Sequence, residues 1–302
     1  MSHRPGGEDR RRSFSMVQRF LLWLYPLIDR SGILRTAAGR WVFETLYLMY
    51  KRFFEARGIG VLRQWVAPDA WIIDVGANIG FFSLYFAHWV RGAGRVVALE
   101  PEGVNFSSLR RRMAAHPRGD RVLSFNMAAA ERDGTGFLQL NPHHPADHRL
   151  ASQGISVVLI SLDALVAGQG EPQVGLIKID VQGSEERVLR GAQRLIHRCH
   201  PALLVELTWG DPGTSRTLTL LTDWRYLPHR IDGAGGRIVS MTVETCLSVL
   251  EECGYMDCLF LFKDQVADRT PKDELRTSPG CRNNGTVLRV DKNCGRQNHS
   301  YG

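Results

Sequence analysis

A carboxylate, an asparagine and two glycines lie within one short turn of the sequence. In WIIDVGANIGFFSLYFA, an apolar run stops at Asp74, Gly76 and Gly80 flank Asn78, and helix-like apolar spacing follows. Glycine and asparagine accept left-handed backbone angles, so the chain can turn sharply here and approach a bound molecule. A helix beginning near Ile79 would offer amide hydrogens to a carboxylate or phosphate. The pattern predicts a ligand site, with a tight turn of packing glycines as the plainer alternative.

A second carboxylate, Glu100, ends the next apolar run, in RVVALEP. At the tip of a neighbouring parallel strand it could accept hydrogen bonds from two ribose hydroxyl groups, or it could be an ordinary surface acid. The frame D-x-G-x-N-x-G differs from the dinucleotide fingerprint G-x-G-x-x-G. The Asp74 carboxylate would repel a pyrophosphate and attract an ammonium group. S-adenosylmethionine, which has an amino acid at one end and a ribose with adenine at the other, fits both acids.

A third acid, Asp180, follows an apolar run in IKIDVQGSE. Charged groups are rare at buried strand ends unless they are paired or used, and Lys178 should share a face with Asp180, so the two can pair. Gln182 forms hydrogen bonds but cannot act as a base, which leaves Asp180 or Glu185 for a charged role. The alternatives are a helix cap for Asp180 and a favourable first-turn acid for Glu185.

Histidines cluster in the loop NPHHPADHR, at His143, His144 and His148. Histidine titrates near neutrality and suits a general base. Adjacent H-H and D-H pairs lack the fixed spacing of a metal site, so no metal is predicted. Glu206, which ends PALLVE, is a further acid that could line an acceptor pocket. The candidates for catalysis are Asp180, His144 and Glu185.

Strands must alternate with helices to position these groups. After Pro68, apolar runs are followed by amphipathic helical stretches, which is typical of a parallel sheet covered on both faces. The runs are WIIDVGA, RVVALEP, VLSFNMA, VGLIKIDV, PALLVELT and DCLFLF. They predict a doubly wound α/β fold, with ligands bound beyond the carboxyl ends of the strands. Residues 135–166 read as two further short strands around a binding loop.

The chain divides into four predicted segments. Residues 1–15 form a disordered basic arm, 16–66 an N-terminal helical extension, 67–263 the α/β domain and 264–302 a disordered polar tail. The apolar stripe of the extension would dock on the domain, with peripheral membrane contact as the alternative.

Composition narrows the class of protein. The 302 residues are 44% hydrophobic and 23% charged, which is ordinary for a soluble globular protein. The formal net charge of +7 is concentrated near the start, where a solvated arm is the commoner meaning, so no nucleic acid is expected. The six cysteines include no C-x-x-C pair and fit free thiols in a reducing compartment. No apolar stretch reaches the about 20 residues of a membrane span, and a cytoplasmic protein is expected.

Four stretches together resemble the FkbM-type methyltransferase family: IDVGANIGFFSL, VVALEPEGVNFSSLRR, LIKIDVQGSEERVLRGA and PALLVEL. The resemblance runs from about Leu62 to Leu207. It implies a class I methyltransferase (Rossmann-like) fold, with a mostly parallel seven-stranded sheet and a reversed final hairpin. It also implies S-adenosylmethionine as the methyl donor and, for most members, hydroxyl groups of sugars or natural products as acceptors.

The resemblance also implies roles for individual positions. The cofactor-binding positions would be Asp74, Gly76, Asn78, Gly80, Glu100 and Asn126. The first four would hold the methionine part, Glu100 the ribose, and Asn126, together with Ala128, would lie near the adenine. Ala129 and Ala130 replace more polar family choices there, and Gln182 stands where the family often has glutamate.

The expected function is S-adenosylmethionine-dependent O-methylation of a sugar, glycolipid or polyketide-like metabolite by direct in-line displacement. One alternative is a catalytically inactive nucleotide-binding module. Another is a methyltransferase that acts on a macromolecule, although the sequence lacks the N/D-P-P-Y/F pattern of amino-group methylation.

Overall fold

A computed structural model describes residues 58–141, 148–232 and 236–267. The predicted basic arm, most of the helical extension and most of the polar tail lie outside these residues, as does the predicted membrane contact. The last residues of the extension form a 3-10 helix, Ile59–Trp65. A short helix, Lys263–Ala267, occupies the beginning of the segment predicted to be a tail.

Twelve strands form two sheets within the described residues. The main sheet contains β1 (Trp71–Val75), β2 (Val96–Leu99), β3 (Val122–Phe125), β8 (Val174–Ile179), β9 (Ala202–Thr208), β10 (Tyr226–Asp232), β11 (Arg237–Ser240) and β12 (Tyr255–Phe262). The small sheet contains β4 (Ala128–Ala129), β5 (Gly134–Gln139), β6 (Arg149–Ala151) and β7 (Ile155–Ile160). Their orders are β11-β10-β12-β9-β8-β1-β2-β3 and β4-β7-β5-β6.

The topology of the main sheet confirms the predicted fold class. Strands β3, β2, β1, β8 and β9 are parallel, and β12 runs antiparallel between β9 and β10, which is the reversed final hairpin. The chain winds outward from β1 to β3 and then returns to the other side of β1 at β8. Ligands of open parallel sheets bind at such a reversal, so the crevice above β1 and β8 is the expected site.

The expected count of seven strands is one too few. The eighth strand is β11, which pairs antiparallel with β10 at the edge of the sheet, from Asp232↔Arg237 to His229↔Ser240. This strand has four residues and is mostly exposed, so it has no apolar run by which the sequence could reveal it.

Helices cover both faces of the main sheet. They are α1 (Phe81–Ala87), α2 (Gly103–Ala115), α3 (Leu162–Ala167), α4 (Glu185–Arg190), α5 (Gln193–Cys199), α6 (Pro212–Asp223), α7 (Val243–Cys253) and α8 (Lys263–Ala267). Ile72 of β1 packs in one core cluster with Phe86 of α1, whereas Ile73 packs in the other with Leu189 of α4. Because successive strand side chains point to opposite faces, strands buried on both sides must be apolar throughout, as the sequence pattern indicated.

The small sheet was only partly foreseen. The sequence predicted two short strands within 135–166, and the structure has three there, which join β4 in a separate sheet. The inner face of this sheet forms its own small core with Ala128, Leu138 and Val157.

Two further expectations, on membrane-spanning segments and on cysteines, concern the described residues. Within the three described ranges, no helix combines the length and apolar character that crossing a bilayer requires. Cys199, Cys246, Cys253 and Cys258 carry free thiols, in agreement with the prediction for these four residues.

Candidate active site

A cleft of about 840 Å³, partly open to solvent, lies at the carboxyl ends of β1, β2 and β8. The main sheet contributes the turn after β1, the end of β2 and the end of β8, and the small sheet closes another wall. The residues that line the cleft include Gly76, Asn78, Glu100, Met127, Ala128, Leu138, His148, Leu150, Lys178, Asp180 and Gln182. The cleft is therefore at the predicted position.

The turn after β1 brings three strand ends together. The amide groups of Gly76 and Ala77 both donate to the carbonyl oxygen of Leu99, at 3.0 and 2.9 Å, and the amide of Asp180 donates to the carbonyl of Val75 at 3.1 Å. Gly76 has a φ of 76°, and a Cβ atom at this position would overlap the backbone oxygen of Asp180. Glycine is required here because two backbone segments meet where a side chain would otherwise stand.

Asn78 and Gly80 shape the rest of the turn. Asn78 has a φ of 51°, and its side-chain oxygen accepts from the amide of Ile79 at 2.7 Å. Gly80 has a φ of 87° and packs against the side chain of Met113 on α2. Helix α1 begins at Phe81, two residues after the predicted start. The sequence therefore located the strand–helix turn and its left-handed residues.

Asp74 lies deeper than its predicted role requires. Its side chain is 0% exposed, does not line the cleft, and accepts a hydrogen bond at 2.6 Å from the hydroxyl of Ser83 on α1. Asp74 precedes the strand end by one residue, and strand alternation turns it toward the face covered by α1. In this structure it fastens α1 beneath the turn. Its predicted role toward the methionine part of the cofactor stays a prediction.

Glu100 is placed as the sequence predicted, at the edge of the cleft. One carboxylate oxygen accepts from the amide of Asn78 at 2.8 Å and the other from the amide of Glu102 at 2.9 Å. The side chain of Asn105 also donates to this carboxylate. An ionised carboxylate has about four acceptor positions, so about one remains for a ligand. Burial raises the pKa of Glu100 to about 7, although the two amide hydrogen bonds oppose that rise. The group consequently changes charge near neutral pH.

Asn126 supports Glu100 and does not line the cleft. Its side-chain nitrogen donates to the backbone oxygens of Glu100 and Pro101, at 2.9 and 3.0 Å. These bonds turn its amide toward the β2 loop, and its predicted place near the adenine stays a prediction. Met127 and Ala128, the next two residues, do line the cleft.

A polar network follows β8 on another wall of the cleft. The ammonium group of Lys178 lies 3.0 Å from one carboxylate oxygen of Asp180, which confirms the predicted pair, and 4.9 Å from the ring centre of Phe82. Lys178 is only 2% exposed. The side-chain nitrogen of Gln182 donates to the other oxygen of Asp180 at 3.2 Å and to Glu206 at 2.6 Å. Among the predicted catalytic residues that the structure describes, Asp180 alone lines the cleft.

Glu185 is buried beside the network and faces away from the cleft. Its carboxylate accepts from the amide of Gly183 at 2.8 Å, at the beginning of α4. Burial raises the pKa of Glu185 to about 7, and the charges of Asp211 and Asp180 add to the rise. The side chain closes on the beginning of its own helix, which agrees with the alternative interpretation, and the predicted catalytic role stays a prediction.

The histidine loop is described only at its end. His144, the predicted catalytic histidine, and His143 lie within 142–147, outside the described residues. His148 lines the cleft, and its Nδ1 accepts from the amide of Asn141 at 3.2 Å. In the neutral ring with this bond, Nε2 carries the proton and can donate a hydrogen bond. Within residues 58–141, 148–232 and 236–267, no three His, Cys, Asp or Glu side chains form a cluster suited to a metal ion.

Sequence reasoning did not commit to two residues of the cleft. Lys178 was noted only as a partner of Asp180, and its signal was a lysine inside an otherwise apolar run. His148 was one of three histidines, and its signal was its place directly before β6. The position of Lys178 depends on how deeply β8 is buried, and that of His148 depends on the small sheet. The spacing of residues in the sequence gives neither.

Comparison with known proteins identifies the family of the chain. The methyltransferase FkbM domain matches residues 74–255, well over half of the chain. A 31-O-demethyl-FK506 methyltransferase FkbM from Streptomyces tacrolimicus is 33% identical, over 42% of this chain and 60% of its own length. Methyltransferase 1 from Beauveria bassiana is 28% identical, over 51% of this chain and 72% of its own.

Among solved structures, a methyltransferase FkbM from Methylobacillus flagellatus KT is similar to this chain. The similarity covers 64% of this chain and 44% of that protein, with 20% sequence identity and a TM-score of 0.42. The matched part of the chain spans three fifths of the Streptomyces relative and less than half of this solved structure. On the match of residues 74–255, which includes the turn after β1, Glu100 and Asp180, the chain belongs to the FkbM-type methyltransferase family.

Proposed function

We propose that this protein transfers a methyl group from S-adenosylmethionine to a hydroxyl oxygen of a sugar, glycolipid or polyketide-like metabolite. The observation that carries the proposal is the single cleft shared by Gly76, Glu100 and Asp180. Membership of the methyltransferase family supports it. The name of the Streptomyces relative, which specifies a 31-O-demethyl compound, favours oxygen as the accepting atom.

The residues of the cleft suit the proposed cofactor. Glu100 retains an acceptor position for a ribose hydroxyl group, and the turn at Gly76 lets the backbone come close to a ligand. Met127, Ala128 and Leu138 form an apolar wall for a flat base. When bound, S-adenosylmethionine would supply a methyl group on a sulfonium that is already electrophilic.

Methyl transfer then requires alignment and the removal of one proton. Asp180 would accept the hydroxyl proton as the oxygen forms its bond to the methyl carbon. Lys178 and Gln182 hold the two Asp180 oxygens, which fixes the direction of the carboxylate. Positioning of this kind can contribute several kcal/mol to catalysis. The small sheet, through Leu138 and Leu150, would keep water from this space.

Calorimetric titration with S-adenosylmethionine tests the cofactor assignment. We expect wild-type protein to bind, and Glu100→Gln to bind about 10- to 100-fold more weakly, because hydrogen bonds to a charged acceptor are lost. Since the pKa of Glu100 is about 7, the carboxyl is increasingly ionised as pH rises through that value. Wild-type affinity should therefore rise with pH across this range, and the affinity of Glu100→Gln should not.

Glu251→Gln provides the matched control, because Glu251 is exposed on α7 and does not line the cleft. It should bind as wild type does at every pH. Absence of binding by wild-type protein, or equal binding by Glu100→Gln, would contradict the assignment.

The acceptor class is testable with labelled cofactor. Purified protein would be incubated with methyl-labelled S-adenosylmethionine and separate lipid, sugar and RNA fractions of a cell extract. We expect label in the lipid or sugar fraction, and labelled product that resists the alkaline hydrolysis that cleaves methyl esters. Label in RNA alone would favour action on a macromolecule, and binding without any transfer would favour an inactive nucleotide-binding module.

A further inference from the structure

One side-chain amide joins two carboxylates that come from different strands. The Nε2 atom of Gln182 lies 3.2 Å from Oδ1 of Asp180, which follows β8, and 2.6 Å from Oε1 of Glu206, which lies in β9. An amide nitrogen carries two hydrogens, so the two bonds use both of them. Gln182 thus forms a bridge between Asp180, the proposed base, and Glu206 on the neighbouring strand.

The surroundings of this bridge are strongly acidic. The Asp211 carboxylate lies beside Gly183, whose amide donates to Glu185, and the charges of Asp211 and Asp180 both raise the pKa of Glu185. Asp257 of β12 stands opposite Glu206 in the strand register. Lys178 lies on the far oxygen of Asp180, and His148 stands on the cleft wall. In such a group a neutral residue with two donors can hold two carboxylates together without adding a charge, whereas another acid would repel both.

The backbone at the bridge is held in an uncommon conformation. Gln182 has a φ of 52° and Gly183 a φ of 95°, so two consecutive residues are left-handed directly after β8. A residue with a side chain pays about 1–2 kcal/mol for this conformation. Such geometry persists only where surrounding contacts enforce it. Here it turns the Gln182 side chain back toward the strand ends, where both acceptors are.

We propose that Gln182 is a positioning residue that fixes the Asp180 carboxylate for proton acceptance by bridging it to Glu206. The inference rests on the proposed function for its catalytic meaning, but the bridge itself is measurable without an acceptor. Gln182 should affect kcat, because it holds the proposed base. It should not affect cofactor affinity, because Glu100 holds the cofactor.

Stability as a function of pH tests the bridge. In Gln182→Glu, the introduced carboxyl stands between the carboxylates of Asp180 and Glu206. These two negative charges oppose its ionisation, so its pKa in the folded protein is raised above its value in the unfolded chain. A raised carboxyl pKa means that folded stability falls as pH rises above the unfolded value of about 4.3. The melting temperature of this variant should therefore fall relative to wild type between about pH 5 and pH 8.

The same substitution at an exposed glutamine in a bend between β6 and β7, Gln153→Glu, is the matched control and should follow the wild-type pH profile. A melting-temperature difference for Gln182→Glu that stays constant over this range would overturn the bridge.

Kinetics test the positioning role. With the extract fraction that wild type labels, Gln182→Met should lower kcat by about 10- to 100-fold, as displacement of a catalytic group by about 1 Å does. Its dissociation constant for S-adenosylmethionine should equal that of wild type. Gln182→Glu should lose kcat progressively as pH rises, with an additional ionisation in its pH profile.

The outcomes separate this inference from the proposed function. Wild-type protein that binds no cofactor would overturn both. Wild-type turnover together with unchanged kcat in Gln182→Met would overturn only the positioning role. Loss of cofactor binding in Gln182→Met, in parallel with turnover, would overturn it as well, because the residue would then hold the cofactor.

Discussion

Asp180→Asn lowers kcat for methyl transfer by about 100- to 10,000-fold if Asp180 accepts the hydroxyl proton, the range that a positioned general base contributes. Asparagine keeps the size of the side chain and its hydrogen bonding, but it cannot take up the proton. Binding of S-adenosylmethionine should persist, because the Glu100 carboxylate and the turn after β1 are unchanged. Rapid-quench measurement of labelled product, with calorimetry in parallel, separates the two steps.

The substitution also removes the negative charge 3.0 Å from the buried Lys178 ammonium group. Breaking a buried ion pair costs about 3–5 kcal/mol, so the melting temperature must be recorded with the kinetics. Asp180→Glu keeps the charge and should retain more stability than Asp180→Asn. Asp120→Asn changes an acid that is 74% exposed and should leave both readouts unchanged. A folded Asp180→Asn protein with wild-type kcat would contradict the assignment of the base.

Gly76→Ala should destabilise the folded protein by about 3 kcal/mol or more. This value combines the cost of a left-handed backbone at alanine with the cost of overpacking. The added Cβ would overlap the backbone oxygen of Asp180, and neither strand end can retreat while the amides of Gly76 and Ala77 remain bonded to Leu99. Urea unfolding measures the loss of stability, and calorimetry should show loss of cofactor binding under conditions in which the variant stays folded.

Gly170→Ala distinguishes the two causes of that loss. Gly170 has a φ of 80°, close to the 76° of Gly76, but no atom lies within 4 Å of the position that its Cβ would take. It should lose only the backbone contribution, about 1–2 kcal/mol. Equal destabilisation of the two variants would mean that the contact with Asp180 is not responsible.

The parallel strands could be predicted because burial on both faces leaves an unmistakable apolar run. Ile72 and Ile73 face opposite core clusters, so neither position tolerates a polar residue, and the run WIIDV is visible in the sequence. Strand β11 does not need an apolar run, because its side chains are mostly exposed and its pairing depends on the hairpin. Its formation is decided by tertiary contacts rather than by local pattern.

The residues of the site divide in the same way. Gly76 and Glu100 were predictable, because a turn that needs positive φ and a strand that ends in an acid are both local features. The depth of Asp74 depends on which face α1 covers, and the orientation of Asn126 depends on carbonyl groups of the β2 loop. Glu185 and Asp180 are alike in sequence, yet only Asp180 reaches the cleft, because the left-handed turn at Gln182 separates their directions.

The cleft has two walls of separate construction, and this has a consequence for protein engineering. The small sheet contributes Leu138 and Leu150 to the cleft, and it packs around its own centre of Ala128, Leu138 and Val157. The continuous stretch from β5 to β7 is accordingly a natural unit for exchange between relatives. Chimeras that swap this stretch should change the acceptor preference, and through Leu138 they should also change the wall proposed for the base of the cofactor.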